Sequence, residues 1–198
     1  MQPAGRRIAA HFLYSGQELV PDPVLSISAD GTVVGIEYNA QRDSLCGVEF
    51  YSGILLPGMV CPRASLEAAA RRRGGDFMRA AEFLDAAMWS AGVQVLGDAR
   101  CGAADPLRQI RLRSRIIYME TDACSGRELL FPAAGLFGPG TDVCGALHAV
   151  TLGGARALGV QERFGRMECG KRCGVVLLGG ADMRTMTLTD CVQSRRIV

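Results

Sequence analysis

Tyr51-Ser52-Gly53-Ile54-Leu55-Leu56-Pro57-Gly58-Met59-Val60, residues 51–60, is the stretch on which the fold turns. From Ile54 onward it is apolar at every position except a central Pro57-Gly58, so alternation cannot give it a wet face. It predicts a strand buried on both sides, bent at the proline and glycine.

Working outward toward the N-terminus, Arg7 to Tyr14, Val24 to Ser28, Val33 to Tyr38 and Val48 to Tyr51 are short apolar or alternating runs. Asp30-Gly31 stands between two of them, where a tight hairpin takes residues that tolerate positive φ. The expectation is an antiparallel meander. On the other side, Asp76 can cap a helix whose Phe77, Ala80, Ala81, Leu84, Ala87 and Met88 share one face, with Gly92 to end it. Strands are expected next at Val93 to Leu96 and at Arg115 to Met119, and strand, helix, strand, strand is the order of a parallel α/β unit.

Residues 122–140 are rich in Gly, Pro and Ala and predict a linker with a short helix at Glu128 to Leu130. Thr141 or Asp142 caps a second helix that runs to Val150, and strands return at Gly174 to Leu178 and Val192 to Val198, with a short one around Met186.

Composition narrows the classes. The 198 residues are 48% apolar and 21% charged, enough to build a core and too apolar for disorder. The 22 basic and 20 acidic residues leave a formal charge of +2, which points to no nucleic-acid or membrane-surface partner. No apolar run reaches the ~20 residues of a membrane span, and the opening MQPAGRRIAAHFLYSG lacks the apolar stretch of a signal peptide, so a cytoplasmic protein is expected. The eight cysteines are scattered through a chain that does not need stapling, and reduced thiols are expected. Cys169 and Cys173 have no histidine near them to complete a zinc site.

DGTVVGIE (30–37) followed by YSGILLPGMV (51–60) resembles the opening of metal-dependent amidohydrolases of the cytosine-deaminase and imidazolonepropionase type. AVTLGGARALGVQERFGRMECGKRCGVVLL (149–178) is similar to the family's last barrel helix and the segment that rejoins its β-sandwich, and GVQVLGDA (92–99) sits where the second barrel strand would be. The resemblance implies an α+β protein: a small composite β-sandwich from both chain ends, residues 1–53 and 160–198, and a truncated α/β barrel of the TIM type over 54–159. A complete barrel takes about 250 residues. Only three candidate barrel strands are legible: Leu55 to Val60, Val93 to Leu96 and Arg115 to Met119.

In that family two histidines, one residue apart at the end of the first barrel strand, hold the metal. The matching positions here are Arg63 and Ser65, followed by Leu66-Glu67. A guanidinium has no lone pair to give, and a neutral hydroxyl is a poor zinc ligand. The two histidines of the sequence, His11 and His148, are expected in a sandwich strand and a helix, as structural residues. Asp142, although preceded by Gly140-Thr141 as the family's last barrel aspartate is, is expected to be a helix cap, and Asp98 an ordinary strand-end carboxylate.

The resemblance thus implies a degenerate, non-catalytic amidohydrolase-like protein without cofactor, metal ligands or catalytic residues. Arg63, Ser65 and Glu67 remain as candidate binding residues for a small polar ligand, Arg63 able to hold a carboxylate bidentately. The alternative is an active hydrolase of cyclic C–N bonds that uses the same three residues. Arg71-Arg72-Arg73 and Arg108, Arg111, Arg113 and Arg115 are expected to be solvated faces, since no aromatics interleave with them to stack bases. The open edge of an incomplete barrel predicts a homodimer.

Overall fold

Proline at position 57 offers no N–H to a sheet, and glycine at 58 has no room for a side chain. A Cβ on Gly58 would stand 2.3 Å from the Gln94 amide carbon and 2.7 Å from the carbonyl oxygen of Cys173. The apolar stretch therefore divides into two strands in two sheets. In this computed structural model, which describes residues 5–39, 46–64, 66–99, 111–119 and 140–198, β5 (Glu49–Pro57) belongs to a seven-stranded sheet and β6 (Met59–Ala64) to a three-stranded one. The strand that enters the parallel sheet is thus Met59–Ala64, and the single strand expected over Leu55 to Val60 is divided between the two sheets. The expected bend is real, and it is sharp enough to end one strand and start another.

The large sheet takes strands from both ends of the chain. These are β1 (Arg6–Tyr14), β2 (Leu19–Pro21), β3 (Val24–Ile27), β4 (Val33–Glu37), β5, β9 (Val175–Asp182) and β10 (Thr187–Arg196). Its order is β10-β9-β5-β1-β3-β4, with β2 paired to β1. The meander expectation holds for β1, β3 and β4, which pair antiparallel. It fails at β5, which lies parallel to β1 and antiparallel to β9. Local hydrophobic runs mark strands but do not say which neighbour each will take.

Period-two alternation then sorts the core. Leu55, Val175 and Leu177 pack with Ile8, Leu25 and Ile27 on one face. Their neighbours Ile54, Leu56, Val176 and Leu178 pack with Met88 and Leu147 on the other. The short strand expected at Met186 is instead a turn between β9 and β10, with Met186 at φ 52°.

The three-stranded sheet, β6-β7-β8, is parallel, with β7 at Val93–Ala99 and β8 at Arg115–Met119. Between β6 and β7 run α1 (Leu66–Arg73), which the sequence did not announce, and α2 (Phe77–Ala91). Asp76 caps α2 by accepting from the Met78 and Arg79 N–H groups, and Gly92 ends it at φ 105°. A Cβ on Gly92 would lie 2.3 Å from a Val176 methyl, so the end of α2 touches the large sheet.

Helices cover both faces of this small sheet. Met59, Cys61, Val93 and Leu96 pack with Leu66, Ala70, Ala81 and Met88. On the other face Val60 and Val95 meet Ala155, with Leu158, Val160 and Phe164 beside it. The cover comes from α4 (Leu152–Ala157), which follows α3 (Val143–Ala149). Among the described helices none is long and apolar enough to cross a membrane. The expected helix at Glu128 to Leu130 lies outside the described residues.

Candidate functional site

Parallel sheets with helices on their faces present ligands at the carboxyl ends of their strands, where loops leave side chains free to converge. In this chain that edge is formed by Ala64, Asp98 and Tyr118, which stand in register across β6, β7 and β8. The pairing slips between Cys61 and Ala64: three residues of β6 advance against two of β7.

Arg63 lies in β6, one residue from its end, and Glu67 is the second residue of α1. Ser65, between them, lies outside the described residues. The backbone therefore carries the positions of Arg63 and Glu67 to the carboxyl edge of the first parallel strand, where a ligand-facing loop would be expected.

The other polar residues considered from the sequence are committed elsewhere. Asp142 Oδ2 accepts from the Gly145 N–H at 2.6 Å, so Asp142 is the cap of α3. His11, on β1, accepts at Nδ1 from the Gly53 N–H at 3.3 Å and meets Phe50 edge-on at 5.2 Å between ring centroids. His148, on α3, has Nδ1 3.4 Å from the Tyr14 hydroxyl. Cys169 is exposed while Cys173 is buried with its Sγ 3.3 Å from Met167 Sδ, so the two thiols do not form one site.

Among the described residues no three His, Cys, Asp or Glu side chains converge, and both histidines are engaged by the contacts just given.

Sequence inspection missed two features. Val60 donates to the Val150 carbonyl at 2.7 Å, which covers part of the outer edge of β6. Asp85, 2% exposed on α2, accepts from the Arg113 and Ser114 N–H groups at 2.6 and 3.1 Å and so fixes the approach to β8. An acidic residue among the inward positions of an apolar helix was the available signal for the second.

A two-sheet α/β architecture with a parallel unit at its centre is the class this arrangement defines, and solved amidohydrolase-superfamily structures share it in part. The chain overlays an adenosine deaminase from Xanthomonas campestris, solved with bound zinc, at 13% identity and a TM-score of 0.57, over 93% of this chain and 87% of that one. It also matches molinate hydrolase at 17% identity and TM-score 0.39, over 58% of this chain and 30% of that one. With N-acetyl-D-glucosamine-6-phosphate deacetylase from Mycobacterium smegmatis the values are 18% and 0.36, over 48% and 26%. The chain thus spans about a third or less of the length of these two hydrolases. At such identities the likeness is one of fold. No protein-family model matches the sequence, and no curated protein matches it.

Proposed function

We propose that this is an amidohydrolase-like protein that does not catalyse metal-dependent hydrolysis and that uses the carboxyl edge of β6 to hold a small polar ligand. The observation that carries this reading is the identity of residue 63. β6 leaves Pro57-Gly58 and enters a parallel sheet as the family's first barrel strand does, and near its end, where the resemblance calls for a histidine, stands Arg63. Arg63 would take a carboxylate in a bidentate grip, with Ser65 and Glu67 supplying a hydroxyl and an acceptor. In this reading residues 1–53 and 160–198 are the composite sandwich, which takes in most of the seven-stranded sheet, and residues 54–159 are the barrel remnant.

The test pairs turnover with binding. The purified chain, with zinc or manganese added, is assayed on N-acetylated amino sugars, adenosine and cyclic ureides. It is also screened by saturation-transfer NMR against small carboxylates. No turnover above background is expected, together with carboxylate binding that Arg63→Ala weakens at least tenfold. Turnover that Arg63→Ala or Glu67→Ala abolishes would overturn the proposal in favour of an active hydrolase.

A further inference from the structure

Arg113 and Arg115, which the sequence presents as part of a solvated basic run, share a cavity with two arginines from the far end of the chain, Arg172 and Arg196. Its volume is about 540 Å³, within the ~300–1,000 Å³ of small-molecule sites. It lies where the β3–β4 turn, the start of β9 and the end of β10 meet the N-terminal ends of β7 and β8. Gln94, in the cavity, is the second residue of β7, and Asp98 at the carboxyl edge is four residues further on, on the order of 13 Å along the strand. This is a different place from the Arg63 edge.

The charge there is mainly basic. Among the described residues four guanidinium groups line the cavity, facing the side-chain carboxylate of Asp30 and the main-chain end at Val198, whose oxygen Arg196 meets at 3.4 Å. Asp30 is already engaged by the Thr32 N–H and hydroxyl at 3.3 and 3.0 Å, and its pKa is held below the usual carboxylate range by Ser28, by Thr32 and, least, by Arg172. Among the described residues no carboxylate forms an ion pair with Arg113 or Arg115. Arg196 donates to the main-chain oxygens of Trp89, Val93 and Val198. Burial pushes it down to about 10, which still leaves it cationic at neutral pH. Like charges that converge on one cavity repel, and an anion between them relieves the repulsion.

A second observation is independent of charge. Gln94 Oε1 is buried without a hydrogen-bond partner. The amide cannot swing away to find one, because it is wedged between two glycines: a Cβ would come within 2.3 Å of its Cδ at Gly58 and within 2.2 Å of its Nε2 at Gly174. Two backbone positions thus lack side chains where this amide passes, and they hold an acceptor oxygen at the cavity wall that suits a hydroxyl donor of the ligand rather than its anionic oxygens.

We infer that the cavity binds a compact multivalent anion, a phosphorylated or polycarboxylated metabolite, gripped by Arg113, Arg115 and Arg172. Forked guanidinium groups match the paired oxygens of both chemistries. Arg196 acts as a positioning residue, anchored by its main-chain bonds and supplying charge from behind.

Titration calorimetry at constant ionic strength, with pyrophosphate and separately with citrate, tests this and tells phosphoryl from carboxylate ligands. Equimolar binding of at least one is expected. The double variant Arg113→Ala/Arg172→Ala should weaken it at least tenfold, while Arg184→Ala in the β9–β10 turn should leave it unchanged. Circular dichroism confirms that each variant is folded. Absence of binding to both anions by the folded chain, or equal affinity in the double variant, would overturn the inference.

Discussion

The guanidinium of Arg196 lies over the indole of Trp89, 3.8 Å from the ring centroid, and its Nε donates to the carbonyl of Trp89 itself at 3.0 Å. Its Nη2 reaches the Val93 carbonyl at 3.5 Å. One side chain at the end of β10 therefore binds the last turn of α2 and the first residue of β7, joining the large sheet to the parallel unit. Arg196→Ala removes the ring contact and leaves main-chain oxygens short of a donor, a loss of about 2–3 kcal/mol in unfolding free energy. Arg196→Lys should recover less than half, because a single ammonium cannot fork to several carbonyls. Urea denaturation measures both.

A comparable loss is expected at Asp85. Both of its oxygens accept from main-chain N–H groups, at 2.6 Å from Arg113 and 3.1 Å from Ser114, in a setting where the residue is 2% exposed. Asp85→Asn keeps the shape and replaces one acceptor with a donor, so an N–H would face an N–H. About 2–3 kcal/mol should be lost, with hydrogen exchange speeding up first at Arg113 and Ser114. Unchanged protection at those two amides would show that the contact does not hold the approach to β8.

How far the sequence revealed these features depended on how local their cause is. The α2 boundaries were legible because Asp76 and Gly92 act on adjacent backbone. The bounds of β8 and the start of β7 were legible for a similar reason, whereas β7 runs past its expected end at Leu96, through Gly97 and Asp98 to Ala99. The split at Pro57-Gly58 was not, since it depends on Gln94 and Cys173 arriving from elsewhere to exclude a side chain. The parallel pairing of β1 with β5 was hidden for the same reason. At the candidate edge, Arg63 and Glu67 were found by motif position, which is a property of sequence. The four-arginine cavity could not be found that way, because Arg113 and Arg172 are brought together only by the fold.

Thiol chemistry offers a test of burial that needs no ligand. Cys61 and Cys173 are buried, and burial pushes each thiol up to about 11, whereas Cys46, Cys144, Cys169 and Cys191 are exposed. Iodoacetamide at about pH 8.5, near the ordinary thiol pKa, should modify the four exposed residues first and spare the two buried ones, as read by peptide mass mapping. The linkage sign follows from a folded pKa above the unfolded value of 9. The stabilisation is fully present below about pH 9 and is lost as pH rises toward 11, at roughly 1.4 kcal/mol per thiol per pH unit. Cys61→Ser should flatten that alkaline slope. Labelling of Cys61 or Cys173 at the rate of Cys169 would contradict the packing described for β6 and the start of β9.

Self-association is the remaining expectation, and the fold narrows where it can occur. An open three-stranded parallel sheet exposes two strand edges. One of its faces is covered, since Val60 and Val95 pack against Ala155, Leu158, Val160 and Phe164. One edge is partly covered too, through the Val60 N–H bond to Val150. That leaves β8, which among the described residues pairs only with β7. A second copy meeting it antiparallel about a two-fold axis would extend three strands to six and satisfy the unpaired groups on both sides. We therefore expect light scattering behind size exclusion to give twice the chain mass of 21.1 kDa at tens of micromolar, falling toward the monomer on dilution. The alternate amides of β8 that face away from β7 should gain hydrogen-exchange protection as concentration rises. A single species of 21.1 kDa at all concentrations would show that the edge of β8 is sealed within one chain. Assembly without added protection in β8 would move the interface to another surface.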